Sequence, residues 1–418
     1  MAGEWPNMLW GDITFLEYGK GLRGYEDGIG PYRVYGTNGP IGWHNEPLCP
    51  HSTVIVGRKG AYRGIHYSSG PCFVIDTAFY LEPRVEFDMR WAYYQLLTHD
   101  INSMDSGSAI PSTSRDAFYG LPVRFPPLQE QHAIAHILGT LDDKIELNRR
   151  MNETLEGIAR AIFKSWFVDF DPVRAKAEGR DPGLPKPLAD LFPDSFEESE
   201  LGEIPRGWEV RSLDEIALFL NGLALQKYPP TDGRSLPVIK IAQLRAGNTS
   251  GADRASADLE PDYIVQDGDI LFSWSGSLEC ELWAGGPGAL NQHLFKVTSA
   301  RYPRWLCYLG IHQHLDDFRH IAAGKATTMG HIQRHHLSDA RLSVPSPELL
   351  RAMDAVIQPI VECTWRRKVQ SRTLATIRDT LLPKLISGEL RVKDAERFAD
   401  HGVGGSVRFQ RAGRKRSS

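Results

Sequence analysis

The sequence predicts an α+β protein that consists of two strand-rich domains, each followed by a long helix. Three observations support this fold class. A long segment occurs twice, short apolar runs with turn residues precede a proline pair in each copy, and apolar positions recur at spacings of four and three after it. We therefore expect a pseudo-twofold internal repeat whose two long helices form an antiparallel coiled coil.

A long repeat organises the chain. Residues 108–166 align with residues 327–385 without a gap, at a constant displacement of 219 positions. The beginnings of the two halves also match, as at Gly19 and Gly222, but there the displacement is 203. The second copy therefore carries about sixteen additional residues in its middle. Because the ends of the copies agree and their centres differ, we expect one scaffold that holds two different recognition regions.

Short strands are expected before the proline pair of each copy. Apolar runs bounded by glycine, asparagine and serine are typical of strands joined by turns. Those runs are Tyr32–Tyr35, Thr53–Gly57 and Cys72–Leu81 in the first copy, and Pro237–Ile241, Ile270–Trp274 and His293–Thr298 in the second. Each strand-rich part also contains one helix-like stretch that begins with a tryptophan, Trp91–Met104 and Trp305–Ala323.

A long helix is expected after each proline pair, because the apolar positions there follow the spacing of a coiled-coil seam. In the first helix the predicted helix–helix interface consists of Ile134, Leu138, Leu141, Ile145, Asn148, Asn152, Leu155 and Ile162. In the second helix it consists of Met353, Ile357, Ile360, Arg367, Ser371, Leu374, Leu381 and Leu385. A seam of about forty residues makes roughly 60 Å of helix.

The direction of the pairing depends on the polar middle of each seam. An antiparallel pair places Asn148 opposite Ser371 and Asn152 opposite Arg367, so that polar side chains meet. A parallel pair would also bring the polar layers together, and a third possibility is that each helix packs back on its own domain. We expect the antiparallel pair, since two copies joined by a linker can close around a pseudo-twofold axis.

Composition and charge exclude several classes of protein. The 418 residues are 41% apolar, which is enough for two domains of ordinary size. No apolar run approaches the roughly eighteen residues of a membrane span, and no signal peptide is recognisable, so a soluble, cytoplasmic protein is expected. The five cysteines lie at wide spacings without a C-x-x-C pair, which argues against a disulfide framework or a zinc knuckle. A net charge of -4 argues against a protein that coats nucleic acid through bulk electrostatics.

Two segments differ in composition from the repeated copies. Residues 169–203 contain ten acidic and four basic residues together with several prolines, which is typical of a solvated linker. The last eighteen residues carry five basic residues and no acidic one, and we expect this tail to be disordered.

Motifs for catalysis are missing from the sequence. It contains no G-x-x-x-x-G-K-[ST] loop, no G-x-G-x-x-G after a strand, and no Asn- or Asp-Pro-Pro-aromatic tetrapeptide of a base-methylating pocket. His132 and His136 have the spacing of a zinc pair but lack the glutamate of H-E-x-x-H, so we interpret them as surface histidines. A histidine-rich stretch over residues 312–336 has no cysteine or carboxylate at ligand spacing. We therefore expect a recognition protein that has no metal or catalytic residue of its own.

Seven short phrases carry a family resemblance. They are FKSWFVDFDPVR at 163–174, ELGEIPRGW at 200–208, LLPKLISGEL at 381–390, YGTNG at 35–39, VGRKG at 56–60, DILFSWSG at 269–276 and NQH at 291–293. Together, and in their order along the chain, they resemble the specificity subunit of type I restriction-modification systems. The resemblance covers nearly the whole chain.

The resemblance implies an order of parts along the chain. These are a first target-recognition domain at 1–127, a spacer helix at 128–168, the linker at 169–203, a second target-recognition domain at 204–346, a second spacer helix at 347–390 and the tail at 391–418. Each domain would read one half of a bipartite target in double-stranded DNA, and the helices would set the spacer and dock two methyltransferase subunits. Restriction and translocase subunits would complete the complex. S-adenosylmethionine, ATP and magnesium would then belong to the partners, with nuclease and adenine-methylating activity residing in the complex.

Candidate DNA contacts are polar and basic residues near glycine-rich turns, where a loop can enter a groove and a side chain can reach base edges or phosphates. In the first domain they are Lys20, Tyr35, Asn38, Arg58, Lys59 and Arg63. In the second domain they are Lys240, Gln243, Arg245, Ser273, Trp274, Ser275, Gln292 and His293. Alternatively, Asn38-Gly39 and Lys59-Gly60 only form hairpin turns, and Trp274 belongs to the core.

Two other functions stay open at this point. One is a single-chain restriction or modification enzyme, although no residues remain to build a catalytic domain. The other is a scaffold whose strand-rich halves bind protein or sugar. Duplex binding that weakens steeply with salt distinguishes DNA recognition from such a scaffold.

Overall fold

The structure, a computed structural model, describes residues 5–25, 28–104, 111–230, 233–324 and 330–392. The predicted disordered tail lies almost entirely outside these residues. The chain forms two compact units. The first consists of residues 1–144 and 374–418, and the second of residues 145–373.

The first copy of the repeat is built from short strands. Its strands are β1 (Asn7–Leu9), β2 (Thr14–Tyr18), β3 (Tyr32–Gly36), β4 (Gly39–His44), β5 (Thr53–Gly57), β6 (Ile65–Ser68), β7 (Cys72–Val74), β8 (Ala78–Pro83) and β9 (Pro122–Arg124). Its helices are α1 (Trp10–Ile13), α2 (Met89–Leu96), α3 (Arg115–Tyr119) and the long α4 (Leu128–Phe167), with a 3-10 turn at Ile101–Ser103.

The second copy follows after two further helices and a hairpin. Its strands are β10 (Phe196–Ser199), β11 (Gly202–Pro205), β12 (Glu209–Ser212), β13 (Leu218–Asn221), β14 (Ser235–Ile239), β15 (Arg254–Ser256), β16 (Ile264–Val265), β17 (Ile270–Ser273), β18 (Cys280–Leu282), β19 (Gly288–Leu290), β20 (Leu294–Thr298) and β21 (Arg341–Val344). Its helices are α5 (Asp171–Ala177), α6 (Lys186–Ala189), α7 (Leu213–Ile216), α8 (Ile241–Ala246), α9 (Arg304–Ala323), α10 (Arg334–Asp339) and the long α11 (Pro347–Ser387), with 3-10 turns at Leu225–Lys227 and Pro261–Tyr263.

The two copies repeat the same strand pairings. The sheet β2-β8-β5-β6 of the first unit corresponds to β13-β20-β17-β18 of the second, and all of these pairs are antiparallel. Leu16 lies opposite Leu81 in the first unit, and Phe219 lies opposite Val297 in the second. These residues are related by displacements of 203 and 216, so the register itself is repeated. The predicted internal repeat is confirmed at the level of individual strand pairs.

The additional residues of the second copy lie mostly in one place. In the parallel pairs β3–β7 and β14–β19, Val34 corresponds to Val238, a displacement of 204. In the next common strand Val56 corresponds to Phe272, a displacement of 216. About twelve of the additional residues therefore fall between β14 and β17, where the second unit has α8, β15 and β16 and the first has only β4.

Each unit contains its own core. In the first, the fully buried rings of Trp10, Trp91 and Phe118 pack together, with centroids 6.4 Å apart for the two tryptophans. In the second, Trp305 and Phe272 occupy the corresponding core and are also fully buried. Burial of such rings contributes roughly 2–3 kcal/mol each, which explains why the helix-like stretches begin at tryptophans.

The long helices are antiparallel within each unit. In the first unit Glu130 accepts a hydrogen bond from Arg391 at 2.9 Å, and Asp142 pairs with Arg378 at 2.7 Å. The earlier residue of α4 thus contacts the later residue of the C-terminal segment, as expected for an antiparallel pair. In the second unit Asn148 donates to the Ser371 hydroxyl at 3.2 Å. The antiparallel prediction is confirmed. The helices do not stand apart from the domains, however, since both pack into the cores of the units.

The expectation of a solvated linker over residues 169–203 is wrong. Pro172 and Pro187 occupy the first turns of α5 and α6, where the missing N–H of proline leaves no helix hydrogen bond unmade. Val173 and Phe192 are buried in the core of the second unit. The charge and proline content of this segment correctly indicated its many exposed residues but gave no sign of the apolar residues that it buries.

Two smaller expectations also need correction. The stretch Trp91–Met104 is not one helix, because α2 ends at Leu96 and Asp100 caps a separate 3-10 turn. The run Cys72–Leu81 divides into β7 and β8. The break occurs where the carbonyl of Ile75 closely approaches Gly19.

Among the described residues, no helix combines the length and apolar character needed to cross a bilayer.

Candidate nucleic-acid interface

A polar surface lies beyond the end of β5 in the first unit. The backbone N–H groups of Arg58 and Lys59 donate to the carbonyl of Thr77 at 2.9 and 3.1 Å, which fixes the chain leaving the strand. The guanidinium of Arg58 lies 4.9 Å from the ring centroid of Tyr18 and donates to the carbonyl of Asp76 at 2.7 Å. The backbone thus holds a basic and an aromatic side chain together at the sheet edge.

A second guanidinium reaches the same ring. Arg115, at the start of α3, lies 5.0 Å from the Tyr18 centroid and donates to the Tyr119 hydroxyl at 3.0 Å. Tyr18 itself is 46% exposed. The first corner, as we name this surface, consists of Tyr18, Arg58, Lys59, Thr77, Ser112 and Arg115. Sequence reasoning found Arg58 and Lys59 but missed Tyr18 and Arg115, because these lie on other elements.

The second unit presents a surface at the equivalent place. The N–H of Trp274 donates to the carbonyl of His293 at 3.3 Å, as the N–H of Arg58 does to Thr77. Trp274 Nε1 donates to Asn221 Oδ1 at 3.0 Å, and the Ser275 hydroxyl lies 3.0 Å from His293 Nδ1. The second corner consists of Asn221, Trp274, Ser275, His293, His331 and Arg334.

The two corners share a backbone and differ in side chains. Isolated bridges join Lys59 to Ser112 in the first and Ser275 to His331 in the second. These residues correspond through the displacements of 216 and 219 that relate the two copies. The first corner carries two guanidinium groups around a tyrosine, whereas the second carries one guanidinium group, that of Arg334, together with an indole, an amide, a hydroxyl and imidazoles. One scaffold therefore presents two different sets of hydrogen-bonding groups.

Several other predicted contacts lie on exposed loops or helices. Lys20 follows β2 and is exposed, and Asn38 is exposed at the tip of the β3–β4 hairpin, in the two-residue turn between Gly36 and Gly39. Gly39 has a φ of +109°, so the turn also requires a glycine there. Asn38 thus forms part of the hairpin turn, and its side chain is also exposed, as contact with a base would require.

The candidates around α8 already have partners. Lys240 Nζ pairs with Asp253 at 2.5 Å, and its backbone N–H donates to the Gln243 side chain at 3.3 Å. Arg245 is exposed and lies 3.9 Å from Glu279. For Lys240 or Arg245 to contact a phosphate, its ion pair with Asp253 or Glu279 would have to break or include the phosphate as well.

Three predicted contacts need correction or restriction. Arg63 is only 4% exposed and donates from Nη2 to the Asn102 carbonyl at 2.7 Å, so its guanidinium serves the interior of the first unit. Ser273 is fully buried and donates to the Ser277 carbonyl at 2.8 Å. We remove both from the candidate surface. Tyr35 is half-buried against the small core around Val74, and burial raises the pKa of its hydroxyl.

Gln292 lies beside the second corner. Its side-chain nitrogen lies 3.3 Å from His293 Nε2, and its carbonyl accepts from Trp274 Nε1 at 3.1 Å. The side chain is half-buried and faces polar neighbours. Gln292 corresponds to Asp76 of the first copy, so the two corners also differ in charge at this position.

The predicted helix interface residues divide between the two units. Ile134, Leu138, Leu381 and Leu385 are buried in the core of the first unit, with Leu141 partly buried against it. In the second unit Met353 and Ile357 are fully buried, Ile360 and Ile162 pack against the core, and Ile145, Leu155, Arg367 and Ser371 are half-buried. Leu374, the first residue of α11 assigned to the first unit, is half-buried.

The polar layer lies in the second unit. Asn148 is fully buried and donates from Nδ2 to the side chains of Gln370 and Ser371 at 2.9 and 3.2 Å. Asn152 is 6% exposed. Arg367 Nη1 donates to the sulfur of Met151 at 2.9 Å.

Half-buried histidines account for part of the histidine-rich stretch. His312 Nε2 lies 3.0 Å from the Cys280 carbonyl, and burial together with nearby Arg160 lowers its pKa to about 4. His314 bonds the Arg341 carbonyl at 3.0 Å in the same way. Within the described part of the chain, donor atoms with the spacing of a metal site occur elsewhere, at Cys49, His51 and Glu82.

Comparison with known proteins gives a consistent result. A family model described as the type I restriction modification DNA specificity domain matches the chain twice, over residues 19–157 and 205–358. The chain is 27% identical over 339 residues to the type I restriction enzyme HindI specificity subunit of Haemophilus influenzae, which covers 67% of this chain and 71% of the relative. It is 26% identical over 367 residues to the MjaIX specificity subunit of Methanocaldococcus jannaschii, covering 83% and 79%.

A solved structure has a similar fold. The crystal structure of a type I restriction-modification system S subunit from M. genitalium superimposes with a TM-score of 0.59 and 16% identity. The match covers 92% of this chain and 97% of that one. At this identity the likeness concerns the fold.

Proposed function

The chain belongs to the type I restriction modification DNA specificity family, and on that premise we propose that it is the DNA-recognition subunit of a type I restriction-modification complex. Each strand-rich domain reads one half of a bipartite target in double-stranded DNA. The observation that carries this proposal is the pair of corners, where equivalent backbone positions present different side chains. Two unlike half-sites require such an arrangement, because base edges are distinguished by their hydrogen-bond donors and acceptors.

The first corner suits contacts with acceptors. Arg58 offers a planar pair of donors that can bind guanine O6 and N7 or a phosphate, with Tyr18 supporting the guanidinium. Lys59, Lys20 and Asn38 extend the polar surface along neighbouring loops. Ser275 and His293 in the second corner, and Gln292 beside it, can both donate and accept hydrogen bonds.

Recognition, and not catalysis, is the role that we assign to this chain. S-adenosylmethionine, ATP and magnesium belong in this proposal to methyltransferase and restriction subunits, which act in the cytoplasm on the bound DNA. The long helices set the distance between half-sites and dock the two methyltransferase subunits. Exposed ion pairs such as Arg149 with Glu146 make the surface of α4 a suitable polar docking face.

The test is a comparison of single substitutions in the complex with a methyltransferase subunit, read out by genome-wide mapping of methylated adenines. Arg58→Ala is expected to relax or weaken the first half-site, and Gln292→Ala the second, each by about 1–3 kcal/mol, or roughly 5- to 150-fold in duplex affinity. Lys186→Ala, whose side chain is 87% exposed in α6, is the matched control and should leave the motif unchanged.

Two results would contradict the proposal. If either corner variant altered both half-sites together, the domains would not read independently. If the wild-type complex bound no duplex at moderate salt, a scaffold that binds protein or sugar would be the better reading.

A further inference from the structure

Three metal-binding side chains converge at the edge of the first unit. The Cys49 sulfur, a ring nitrogen of His51 and a carboxylate oxygen of Glu82 all lie within 4.8 Å of one another. His51 Nε2 is 3.1 Å from the Glu82 carboxylate and 4.0 Å from the Cys49 sulfur. Cys49 and His51 precede β5, whereas Glu82 lies in β8, so β-sheet pairing creates the cluster.

The separations fit a tetrahedral ion. Zinc bonds of about 2.0 Å to nitrogen or oxygen and 2.3 Å to sulfur place neighbouring ligand atoms roughly 3.3–3.8 Å apart. The two separations at His51 lie on either side of this range. Small side-chain rotations therefore suffice to centre an ion among the three donors.

The imidazole of His51 has a fixed tautomer when it is neutral. Its Nδ1 lies 3.0 Å from the Ser52 carbonyl, a group that can only accept, so Nδ1 carries the proton. The lone pair is then on Nε2, which faces Glu82, and the Cys49 sulfur lies 3.5 Å from Nδ1 and 4.0 Å from Nε2, so the ring must rotate for Nε2 and the sulfur to bind one ion. A backbone carbonyl that fixes the tautomer in this way is the usual outer partner of a zinc-bound histidine.

A second cysteine adjoins the cluster. Cys49 and Cys72 exchange both backbone hydrogen bonds at 2.9 Å, which places their side chains next to each other. Metals bind the deprotonated form of cysteine, so zinc binding would release the thiol proton of Cys49.

Exposure distinguishes an ion site from a reactive thiol. Cys49 is fully buried, so no substrate reaches its sulfur. The side chains of His51 and Glu82 are 42% and 33% exposed, so a small ion can enter from their side. A thiolate, an imidazole and a carboxylate together suit zinc better than magnesium or calcium.

The second copy shows that the fold does not require this cluster. Its pair Val265 and Gly288 occupies the positions of Cys49 and Cys72, with the same antiparallel bridge. Asp267 and Thr298 stand at the positions of His51 and Glu82, through the same displacement of 216. An equivalent sheet edge is thus built with a valine and a glycine where the first unit carries two cysteines.

We propose that Cys49, His51 and Glu82 bind a zinc ion in the first unit. The ion joins the segment before β5 to β8. It is a structural site that stabilises the first recognition domain, because it links two separate segments through a buried cysteine. This site does not depend on the proposed DNA-recognition function.

The test begins with metal content. The full chain is expressed with zinc in the medium, and zinc per chain is measured by mass spectrometry after gel filtration. Wild type should retain about one zinc per chain. Cys49→Ser, His51→Ala and Glu82→Gln should each lose most of it, whereas Cys307→Ser and His132→Ala, a buried cysteine and an exposed histidine outside the cluster, should keep it.

Further measurements distinguish the loss of zinc binding from the misfolding of a variant. Glu82→Gln alters an exposed side chain and should keep the circular dichroism of wild type while losing zinc. Cobalt substituted into wild type should give a thiolate-to-cobalt absorption band that Cys49→Ser lacks. A chelator should lower the Tm of wild type but leave that of Glu82→Gln unchanged.

The proposal is overturned if wild type holds no more zinc than His51→Ala and shows no cobalt–thiolate band. It is equally overturned if Cys49→Ser, His51→Ala and Glu82→Gln all retain the wild-type amount of zinc, because the ion would then be bound elsewhere.

Discussion

Replacing Asn152 by leucine is expected to stabilise the protein. Asn152 is 6% exposed in α4, and its side-chain oxygen is buried without a hydrogen-bond partner among the described residues. A buried polar atom left unpaired costs about 1–3 kcal/mol. Leucine has the same branching and the same number of side-chain heavy atoms as asparagine and removes that atom, so only the larger volume of its methyl groups opposes the gain.

The matched variant is Asn148→Leu in the same layer. Asn148 Oδ1 is also buried and unpaired, but Nδ2 donates to Gln370 and Ser371. Its replacement therefore removes one unfavourable group and two hydrogen bonds, each worth about 0.5–1.5 kcal/mol. We expect a free energy of unfolding that rises by about 1–2 kcal/mol for Asn152→Leu and is unchanged or lower for Asn148→Leu.

The assay is calorimetric melting of the full chain, with urea unfolding as a second measure. For a unit of this size each kcal/mol moves Tm by about 2–4 °C, so Asn152→Leu should raise the Tm of the second unit by roughly 2–8 °C. A Tm that falls by several degrees would refute the reasoning, because it would mean that Asn152 has a partner whose loss leucine cannot replace. Equal shifts in the two variants would show that the hydrogen bonds of Asn148 contribute nothing.

Two further predictions follow from burial and backbone contacts. Because the pKa of His312 is lowered to about 4 from 6.5, the unfolded chain takes up a proton between these values that the folded chain does not. Its contribution, at most about 3 kcal/mol, is complete above pH 6.5 and is lost as the pH falls towards 4. Urea unfolding at several pH values should therefore show a smaller loss of stability on acidification for His312→Gln than for wild type, and equal slopes would contradict it. Gly222→Ala places a Cβ 2.3 Å from the Asn291 carbonyl oxygen, so it should lower the free energy of unfolding by about 2 kcal/mol or more. Gly157→Ala has open space around it on α4 and should raise the free energy of unfolding by about 0.5–1 kcal/mol. Thermal melts of the two variants test both expectations.

The repeat could be predicted from sequence because the scaffold requires particular residues at particular positions, and these residues occur in both copies. Gly19 and Gly222 both lie against a carbonyl of the neighbouring strand, at Ile75 and Asn291, where a Cβ would come within 2.3 Å or less. No other residue fits there, so the match survives in both copies. The seam of the long helices is visible for a similar reason, since its apolar positions must face a core.

The linker and the buried candidates were mispredicted because sequence pattern does not give the direction of a side chain. Most charged residues of the segment 169–203 are exposed, and the composition hides that Val173 and Phe192 are buried in the core. Arg63 and Ser273 lie near glycine-rich turns, as a DNA contact would, but both point inward. The register of the strands, which the sequence pattern does not give, decides that Arg63 and Ser273 face the interior while Arg58 and Trp274 lie at the corners.

The corners and the metal cluster could not be found from sequence, since each unites residues from separate strands. Tyr18 meets Arg58 across β2 and β5, and Cys49 meets Glu82 through β5 and β8. These pairs are 40 and 33 positions apart, well beyond the spacing of any local motif. The internal repeat supplies what a local motif cannot, because it identifies the equivalent position in a second copy.

If the corners read DNA as proposed, their position allows recognition to change while the fold persists. Arg58 and Trp274 follow the last residues of β5 and β17, and their backbone N–H groups donate to equivalent carbonyls whatever the side chain. The buried rings that stabilise each unit, such as Trp91 and Trp305, belong to other elements. A substitution at a corner therefore alters hydrogen-bonding groups at the surface at little cost to the core. The two copies in this chain differ in this way, since an arginine beside a tyrosine and a tryptophan beside an asparagine occupy equivalent positions of the repeated scaffold.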